Sequence, residues 1–178
     1  MAKTIYYLPG QGGRLDMGLG PALSARGFDL NGRETRGEFN DLSFSDQVAT
    51  IVDDLQQYFW QEDAVVIGNS FGAYLFLHAQ SHIAAFPGRV LLLSPIVGGF
   101  SDESTGRYFS PPQPEHLKKV SAAGQFNAPR LCEMHVGEQD WQSHPPSVLA
   151  FAAPLGIPVT VWPGQGHNLA HETVAGVL

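Results

Sequence analysis

The stretch from Ala64 to Leu75 constrains the fold more than any other part of the sequence. An unbroken apolar run ends at Gly68, Ser70 follows, and Gly72 comes just before a second apolar stretch. This order is typical of a buried strand, a sharp turn and a helix. Glycines at these positions let strand and helix approach closely while the serine between them takes a strained backbone conformation. The pattern therefore predicts a serine hydroxyl held clear of a sheet, above the start of a helix.

The segment Gly68-Asn69-Ser70-Phe71-Gly72 matches the pattern G-x-S-x-G. Between a strand and a helix, this pattern forms the nucleophile elbow, in which the serine hydroxyl is exposed at the edge of the sheet. Two glycines around a serine also recur by chance, so a plain turn serine is the alternative interpretation. The strand–turn–helix context favours the elbow, and suitable partner residues elsewhere in the chain would decide between the two.

Strand-like and helix-like segments alternate along the chain. Most of the strand-like segments are continuously apolar, which is typical of strands buried on both faces of a parallel sheet. The predicted strands cover residues 4–8, 28–34, 64–67, 89–94, 131–136 and 158–162, and the predicted helices cover residues 21–26, 44–60, 71–82, 146–155 and 168–178. We therefore expect a single α/β domain over residues 1–178, a three-layer αβα sandwich around a mainly parallel sheet of about six strands.

Two local features refine this arrangement. Ser43, with Asp46 three residues later, resembles a capping box and predicts that a helix begins at Phe44. Residues 95–129 are rich in glycine, serine and proline and carry only one weak helical patch, near residues 115–121. Because long irregular segments in compact domains are often lids or substrate-binding loops, the 95–129 segment is a candidate short lid.

Composition and charge argue against several classes of protein. Of the 178 residues, 43% are hydrophobic and 15% are charged, as in a globular protein. The net charge of −7, with no basic cluster, argues against nucleic-acid binding. No apolar run reaches the ~18–20 residues of a membrane span, and we recognise no signal peptide before the first strand. Cys132 is the only cysteine, so no internal disulfide can form and a reducing cytoplasm is the expected location.

Three residue types needed for nucleophilic catalysis follow predicted strands. Ser70, Asp140 and His167 each come shortly after a strand, and active groups in parallel sheets gather beyond the carboxyl ends of the strands. A serine hydroxyl needs an imidazole to take its proton, and the imidazole needs a carboxylate to fix its tautomer. We therefore predict Ser70 as nucleophile, His167 as base and Asp140 as orienting acid. Glu138 in the same loop and Asp102 after the preceding strand are the alternative carboxylates.

With these motifs the sequence resembles the α/β-hydrolase superfamily over nearly the whole chain. The resemblance rests on the elbow at Ser70, the chain order serine–acid–histidine, Gly137-Glu138-Gln139-Asp140 as a G-x-x-D acid loop, Gly166-His167 as a glycine–histidine turn, and Arg36-Gly37 after the second strand. It implies the fold and an oxyanion hole made by the backbone N–H groups of Phe71 and Gln11. Pro9 stands where the family usually has histidine. The chain has no room for the family's two additional leading strands or a cap domain, so it resembles the compact serine hydrolases and esterases.

Other motifs are weaker. The loop at residues 10–13 is glycine-rich but lacks the G-x-G-x-x-G spacing of a dinucleotide site. His78 and His82 have helical i, i+4 spacing, but no third ligand with suitable spacing follows, so we expect neither a metal nor a cofactor. Asp53 and Asp54 are interpreted as part of a solvated helix face.

The expected reaction is the cleavage of a small-molecule carboxylic ester, or of a related acyl bond, through an acyl-enzyme on Ser70. An acyltransferase or thioesterase with the same three residues is one alternative, and a non-catalytic binding module on the same fold is another. Trp141, Tyr108 and Phe109 are candidates for the substrate-binding wall, although buried aromatic residues often serve only in packing. The sequence does not determine the natural substrate or the oligomeric state.

Overall fold

The computed structural model describes residues 3–178. Within these residues the strands are β1 (Lys3–Leu8), β2 (Phe28–Gly32), β3 (Val65–Asn69), β4 (Arg89–Leu93), β5 (Phe100–Asp102), β6 (Arg107–Phe109), β7 (Leu131–Gly137) and β8 (Val159–Trp162). Six of them form one sheet in the order β2-β1-β3-β4-β7-β8, and each neighbouring pair is parallel. The predicted fold class, with a parallel sheet of six strands, is confirmed.

The helices connect the strands and cover both faces of the sheet. They are α1 (Gly20–Ala25), α2 (Gly37–Asp41), α3 (Phe44–Tyr58), α4 (Phe71–Gln80), α5 (His116–Ala122), α6 (Pro145–Ala152) and α7 (His171–Val177), and a 3₁₀ turn follows α6 at Ala153–Leu155. Among the residues described, none of these helices is long and apolar enough to cross a membrane.

Neighbouring side chains of one strand enter two different cores, as β1 illustrates. Tyr6 and Leu8 pack into the larger core, together with side chains of α3, α4 and α6. Ile5 and Tyr7 point to the other face, where Leu23 of α1 and Val174 of α7 help to cover them. Because successive strand residues alternate between faces, a strand buried on both sides must be apolar throughout. This explains the continuously apolar runs in the sequence.

Helix α3 begins as the sequence predicts but buries one residue that we expected to be exposed. The Ser43 hydroxyl accepts a hydrogen bond from the Asp46 N–H at 3.1 Å, which confirms the helix start. The prediction of a solvated Asp54 is wrong. Its carboxylate is buried, accepts a 2.6 Å hydrogen bond from the Tyr6 hydroxyl and makes two 2.7 Å contacts with the Arg33 guanidinium. A carboxyl group can be buried at this position because Tyr6 and Arg33 supply hydrogen bonds to both of its oxygens.

The 95–129 segment contains more regular structure than its composition predicts. Strands β5 and β6 pair as an antiparallel hairpin, and α5 coincides with the predicted helical patch. Each hairpin strand has only three residues. Such short and mostly exposed strands leave no hydrophobic periodicity in the sequence, which is why the hairpin was not predicted.

Candidate active site

The carboxyl edge of the sheet brings together the serine, the histidine and the aspartate that follow β3, β8 and β7. The Ser70 Oγ lies 2.7 Å from Nε2 of His167. On the other side of the imidazole, Nδ1 lies 2.9 Å from both carboxylate oxygens of Asp140. If Nδ1 carries the imidazole proton and donates it to the carboxylate, Nε2 is free to accept the serine proton.

Ser70 lies at a strained turn between β3 and α4. Its φ of 55° and ψ of −116° place it in a region that non-glycine residues rarely occupy. The turn is tight because α4 begins directly against β1: a Cβ on Gly72 would lie only 2.1 Å from the carbonyl oxygen of Leu8. The Ser70 N–H donates to the Leu93 carbonyl at 2.9 Å, which ties the turn to β4. The geometry has the features of a nucleophile elbow.

Asp140 is buried and hydrogen-bonded as an anion. Burial raises the pKa of this carboxyl, but hydrogen bonds from His167 and from the Ser143 N–H more than offset that effect, so the net pKa is below its usual value. The two alternative carboxylates are engaged elsewhere. Glu138 accepts a hydrogen bond from the Gly164 N–H at 2.9 Å, and Asp102 binds the hydroxyls of its own hairpin turn.

Two serines that we did not predict join the loops that carry these groups. Ser94 is 1% exposed and has a φ of 44°. Its hydroxyl donates to the His167 carbonyl at 2.6 Å, and its own carbonyl accepts the Ser143 hydroxyl at 2.7 Å. The Ser143 N–H donates to the Asp140 carboxylate at 3.0 Å. Ser94 follows β4 at the same sheet edge as Ser70, and this position was the available sequence signal.

Gln11 and Phe71, whose N–H groups are the expected oxyanion donors, line the same cleft as Ser70. In the loop after β1, the Gly12 N–H donates to the Thr35 carbonyl and the Gly13 N–H donates to the Gly10 carbonyl, both at 2.9 Å. Among the described residues, none accepts a hydrogen bond from the N–H of Gln11 or Phe71. Neither N–H is therefore committed to an acceptor within the described part of the chain.

A cleft of about 420 Å³ opens beside Ser70. Phe109, one of the three aromatic residues expected to bind substrate, lies in its wall together with Pro111 and Pro112. Tyr108 and Trp141 do not line this cleft. Tyr108 is 70% exposed on the hairpin, and the Trp141 ring lies 5.8 Å beneath the Arg107 guanidinium.

Three histidines form a stacked group between α4 and α5. The ring of His116 lies 5.0 Å from that of His78 and 5.8 Å from that of His82. Within this group His78 is only 1% exposed. Its burial, together with its neighbours His116 and His82, lowers the pKa of His78 to about 3. Within the described part of the chain, no group of three or more His, Cys, Asp or Glu side chains is arranged to hold a metal ion.

Comparisons with known proteins place this geometry in a structural context. The sequence matches no protein-family model and no curated protein. Solved structures, in contrast, are similar over nearly the whole chain. Est1E from Butyrivibrio proteoclasticus is 15% identical with a TM-score of 0.65, and the match covers 99% of this chain and 85% of that one.

Two more solved structures give the same result. A lipase-esterase related protein from Clostridium acetobutylicum is 10% identical with a TM-score of 0.68, covering 98% of this chain and 91% of that one. A structure from a study of carboxylesterases of the thaumarchaeon Nitrososphaera gargenis is 11% identical with a TM-score of 0.65, covering 99% and 88%. At such identities the likeness shows a shared fold rather than a shared activity.

Proposed function

From the α/β-hydrolase fold of the chain, we propose that the protein is a serine hydrolase that cleaves carboxylic esters through an acyl-enzyme on Ser70. The observation that carries the proposal is the continuous set of hydrogen bonds from Ser70 through His167 to Asp140, at 2.7 and 2.9 Å. Two of the similar structures, a lipase-esterase related protein and one from a study of carboxylesterases, favour an ester over other acyl substrates.

The proposed mechanism assigns one role to each group. The Ser70 Oγ attacks the ester carbonyl while Nε2 of His167 accepts its proton. The Asp140 carboxylate holds the Nδ1 proton and stabilises the imidazolium that forms. The N–H groups of Gln11 and Phe71 donate to the oxyanion of the tetrahedral intermediate.

The second half of the reaction uses the same groups. His167 donates its proton to the departing alkoxide, which leaves as the alcohol and frees the acyl-enzyme. A water molecule then attacks the acyl carbonyl while His167 accepts its proton, and the collapse of the second intermediate returns the proton to the Ser70 oxygen. Every step is a proton transfer or an acyl transfer, so the balance requires only ester and water.

Fluorophosphonate labelling with peptide mass spectrometry tests the proposal, together with turnover of p-nitrophenyl acetate. We expect one phosphonyl adduct on Ser70, and loss of both adduct and turnover in Ser70→Ala. Ser110→Ala is the matched control, because Ser110 lines the same cleft and has no proposed role. Equal turnover in wild type and Ser70→Ala would contradict the proposal, because the reaction would then not depend on Ser70. Absence of both adduct and turnover in the wild type would also contradict it and would favour a non-catalytic binding module.

A further inference from the structure

The cleft beside Ser70 is lined by neutral groups. Four of the lining side chains are amides: Gln11, Asn40, Gln47 and Gln142. Apart from Ser70 and one other serine, the rest of the lining is hydrocarbon from leucine, isoleucine, phenylalanine and proline. The acyl group of a substrate would therefore meet apolar surface and amide dipoles rather than ionised groups.

The amides retain hydrogen-bonding capacity. Gln11 donates through Nε2 to Oδ1 of Asn40 at 2.7 Å, and Gln47 donates through Nε2 to the Phe39 carbonyl at 3.0 Å. The side chain of Gln142 has no hydrogen-bond partner among the described residues. An amide can satisfy a hydroxyl or a carbonyl of a bound molecule, but it cannot neutralise a full charge.

On the basis of the proposed ester hydrolysis, we propose that this cleft selects esters with an uncharged acyl group and discriminates against acyl groups that end in a carboxylate. A carboxylate that entered the cleft would lose its hydration and would find no cationic side chain among the described lining residues. Gln142 is the residue best placed to set this preference. Its side-chain amide has no partner among the described residues, and its backbone N–H donates to the Asp140 carboxylate at 3.1 Å, which holds it beside the reacting residues.

The test compares two p-nitrophenyl esters with acyl chains of equal carbon number, the butyrate and the hydrogen succinate. We expect kcat/KM to be at least roughly tenfold lower for the succinate ester, since it must desolvate a carboxylate. Gln142→Lys should narrow this ratio by about tenfold, because its ammonium can pair with the carboxylate. Work at about 0.5 M salt limits the long-range effect of the net negative charge.

Gln57→Lys is the matched control. It changes the net charge equally, but Gln57 is exposed near the other end of α3, about 15 Å along the helix from Gln47. We expect this variant to leave the ratio of the two esters unchanged. Equal kcat/KM for both esters, or equal effects of both lysines, would overturn the proposed selectivity while leaving ester hydrolysis intact. No turnover of the neutral ester would overturn the proposed function and the selectivity with it.

A separate observation concerns Ser94, which lies between the acid loop and the histidine loop. Its hydroxyl binds the main chain of His167, its carbonyl binds Ser143, and its N–H donates to the His135 carbonyl of β7 at 2.7 Å. These three bonds use all of the polar groups of one buried residue, held at a positive φ. We infer that Ser94 is a positioning residue that holds the loops of His167 and Asp140 at the distance their hydrogen bond requires.

Ser94→Ala tests this inference, because it keeps the Cβ and removes only the bond to His167. We expect kcat to fall roughly tenfold while KM stays within about twofold, since the imidazole is displaced and the cleft is not. Ser143→Ala should also lower kcat. The increase in activation free energy in the double variant should be smaller than the sum of the increases in the two single variants.

Ser121→Ala is the structural control for this pair. Ser121 is also buried, and its hydroxyl donates to the Phe151 carbonyl at 3.2 Å, away from the three reacting residues. We expect it to lose stability without losing kcat. An unchanged kcat in Ser94→Ala would overturn the inference, and so would an equal loss of kcat in Ser121→Ala.

Discussion

Two sides of the site differ in how the rest of the molecule holds them: the sheet edge that carries Ser70, Asp140 and His167, and the 95–129 segment. Ser70, Asp140 and His167 follow three strands of one sheet. The Leu93 carbonyl accepts a hydrogen bond from the Ser70 N–H, and the Ser94 hydroxyl donates to the His167 carbonyl, so that both loops are tied to the end of β4. The 95–129 segment lines part of the cleft, and in this segment a hairpin with three-residue strands precedes Pro111 and Pro112. Under the proposed mechanism, the sheet sets the geometry of the reaction and the 95–129 segment shapes the substrate site.

The largest expected effect lies on the sheet side, at Asp140. Asp140→Asn leaves an amide beside Nδ1 of His167, which favours the wrong tautomer, and kcat should fall by roughly 10⁴-fold. Glu138→Gln and Asp102→Asn, the two other carboxylates considered, serve as controls and should retain most of the activity. Steady-state kinetics of p-nitrophenyl acetate hydrolysis measures all three. A larger loss in either control would reassign the acid.

Substitutions of two glycines compare how well the two sides of the site accommodate an added methyl group. Gly72→Ala pushes a methyl group against the main chain of Leu8, and we expect a loss of more than about 3 kcal/mol in the free energy of unfolding. Gly106 lies in the hairpin turn at a φ of 65° with open space around it. Gly106→Ala should therefore cost only about 1 kcal/mol, for the left-handed backbone alone. Urea unfolding measures both values, and equal losses would contradict the comparison.

The pH dependence of stability tests the histidine group in which His116, of the 95–129 segment, stacks against His78 and His82. The pKa of His78 is about 3 in the folded protein, whereas an unfolded histidine has a pKa of about 6.5. Below the unfolded value only the unfolded state gains the proton, so stability falls as the pH falls toward about 3, by about 1.4 kcal/mol per pH unit. Between about pH 7.5 and about pH 5, His78 should account for a loss of about 2 kcal/mol.

His78→Leu isolates this effect, because leucine fills a similar space and does not titrate. The neighbours His82 and His116 remain in the variant, so the difference between the two pH profiles of urea unfolding belongs to His78. We expect the variant to lose about 2 kcal/mol less than wild type over the same range. Parallel pH profiles would mean that His78 does not stay neutral in the folded protein.

The smallest effect on activity is expected at the hydrogen bonds that join the two sides of the site. The Tyr74 hydroxyl, on α4 behind the elbow, donates to the carbonyls of Pro112 at 2.6 Å and of Gln113 at 3.1 Å. Tyr74→Phe removes this link, worth about 1 kcal/mol, so KM should rise by about fivefold with kcat nearly unchanged. Tyr108→Phe, at an exposed hairpin position, should alter neither. A fall in kcat with constant KM in Tyr74→Phe would contradict the proposal that the 95–129 segment affects substrate binding rather than the reaction itself.

The sequence predicted the sheet-borne half of the molecule better than the other half. Apolar runs identified most of the six parallel strands. The ends of the strands pointed to Ser70, Asp140 and His167, which the structure brings within hydrogen-bonding distance. Strand position and chain order are local or topological signals, so a single sequence contains them.

What the sequence did not predict depends on contacts between distant segments. The hydrogen bonds of Ser94 to His167 and Ser143 join residues that are 73 and 49 positions apart in the sequence, and no local pattern predicts them. Asp54 is buried because Tyr6 and Arg33 reach it from other elements. The β5–β6 hairpin is too short to leave a periodic signal, and so the cleft wall that it supports could not be drawn from the sequence.

The most direct test of the central claim is to trap the acyl-enzyme. Wild-type protein is mixed with p-nitrophenyl acetate, quenched with acid within milliseconds and digested for peptide mass spectrometry. The proposed mechanism predicts an acetyl group on Ser70 during turnover, absent from Ser70→Ala and lost as substrate is consumed. Sustained turnover with Ser70 unmodified, or with the acetyl group on another residue such as Ser110, would contradict it.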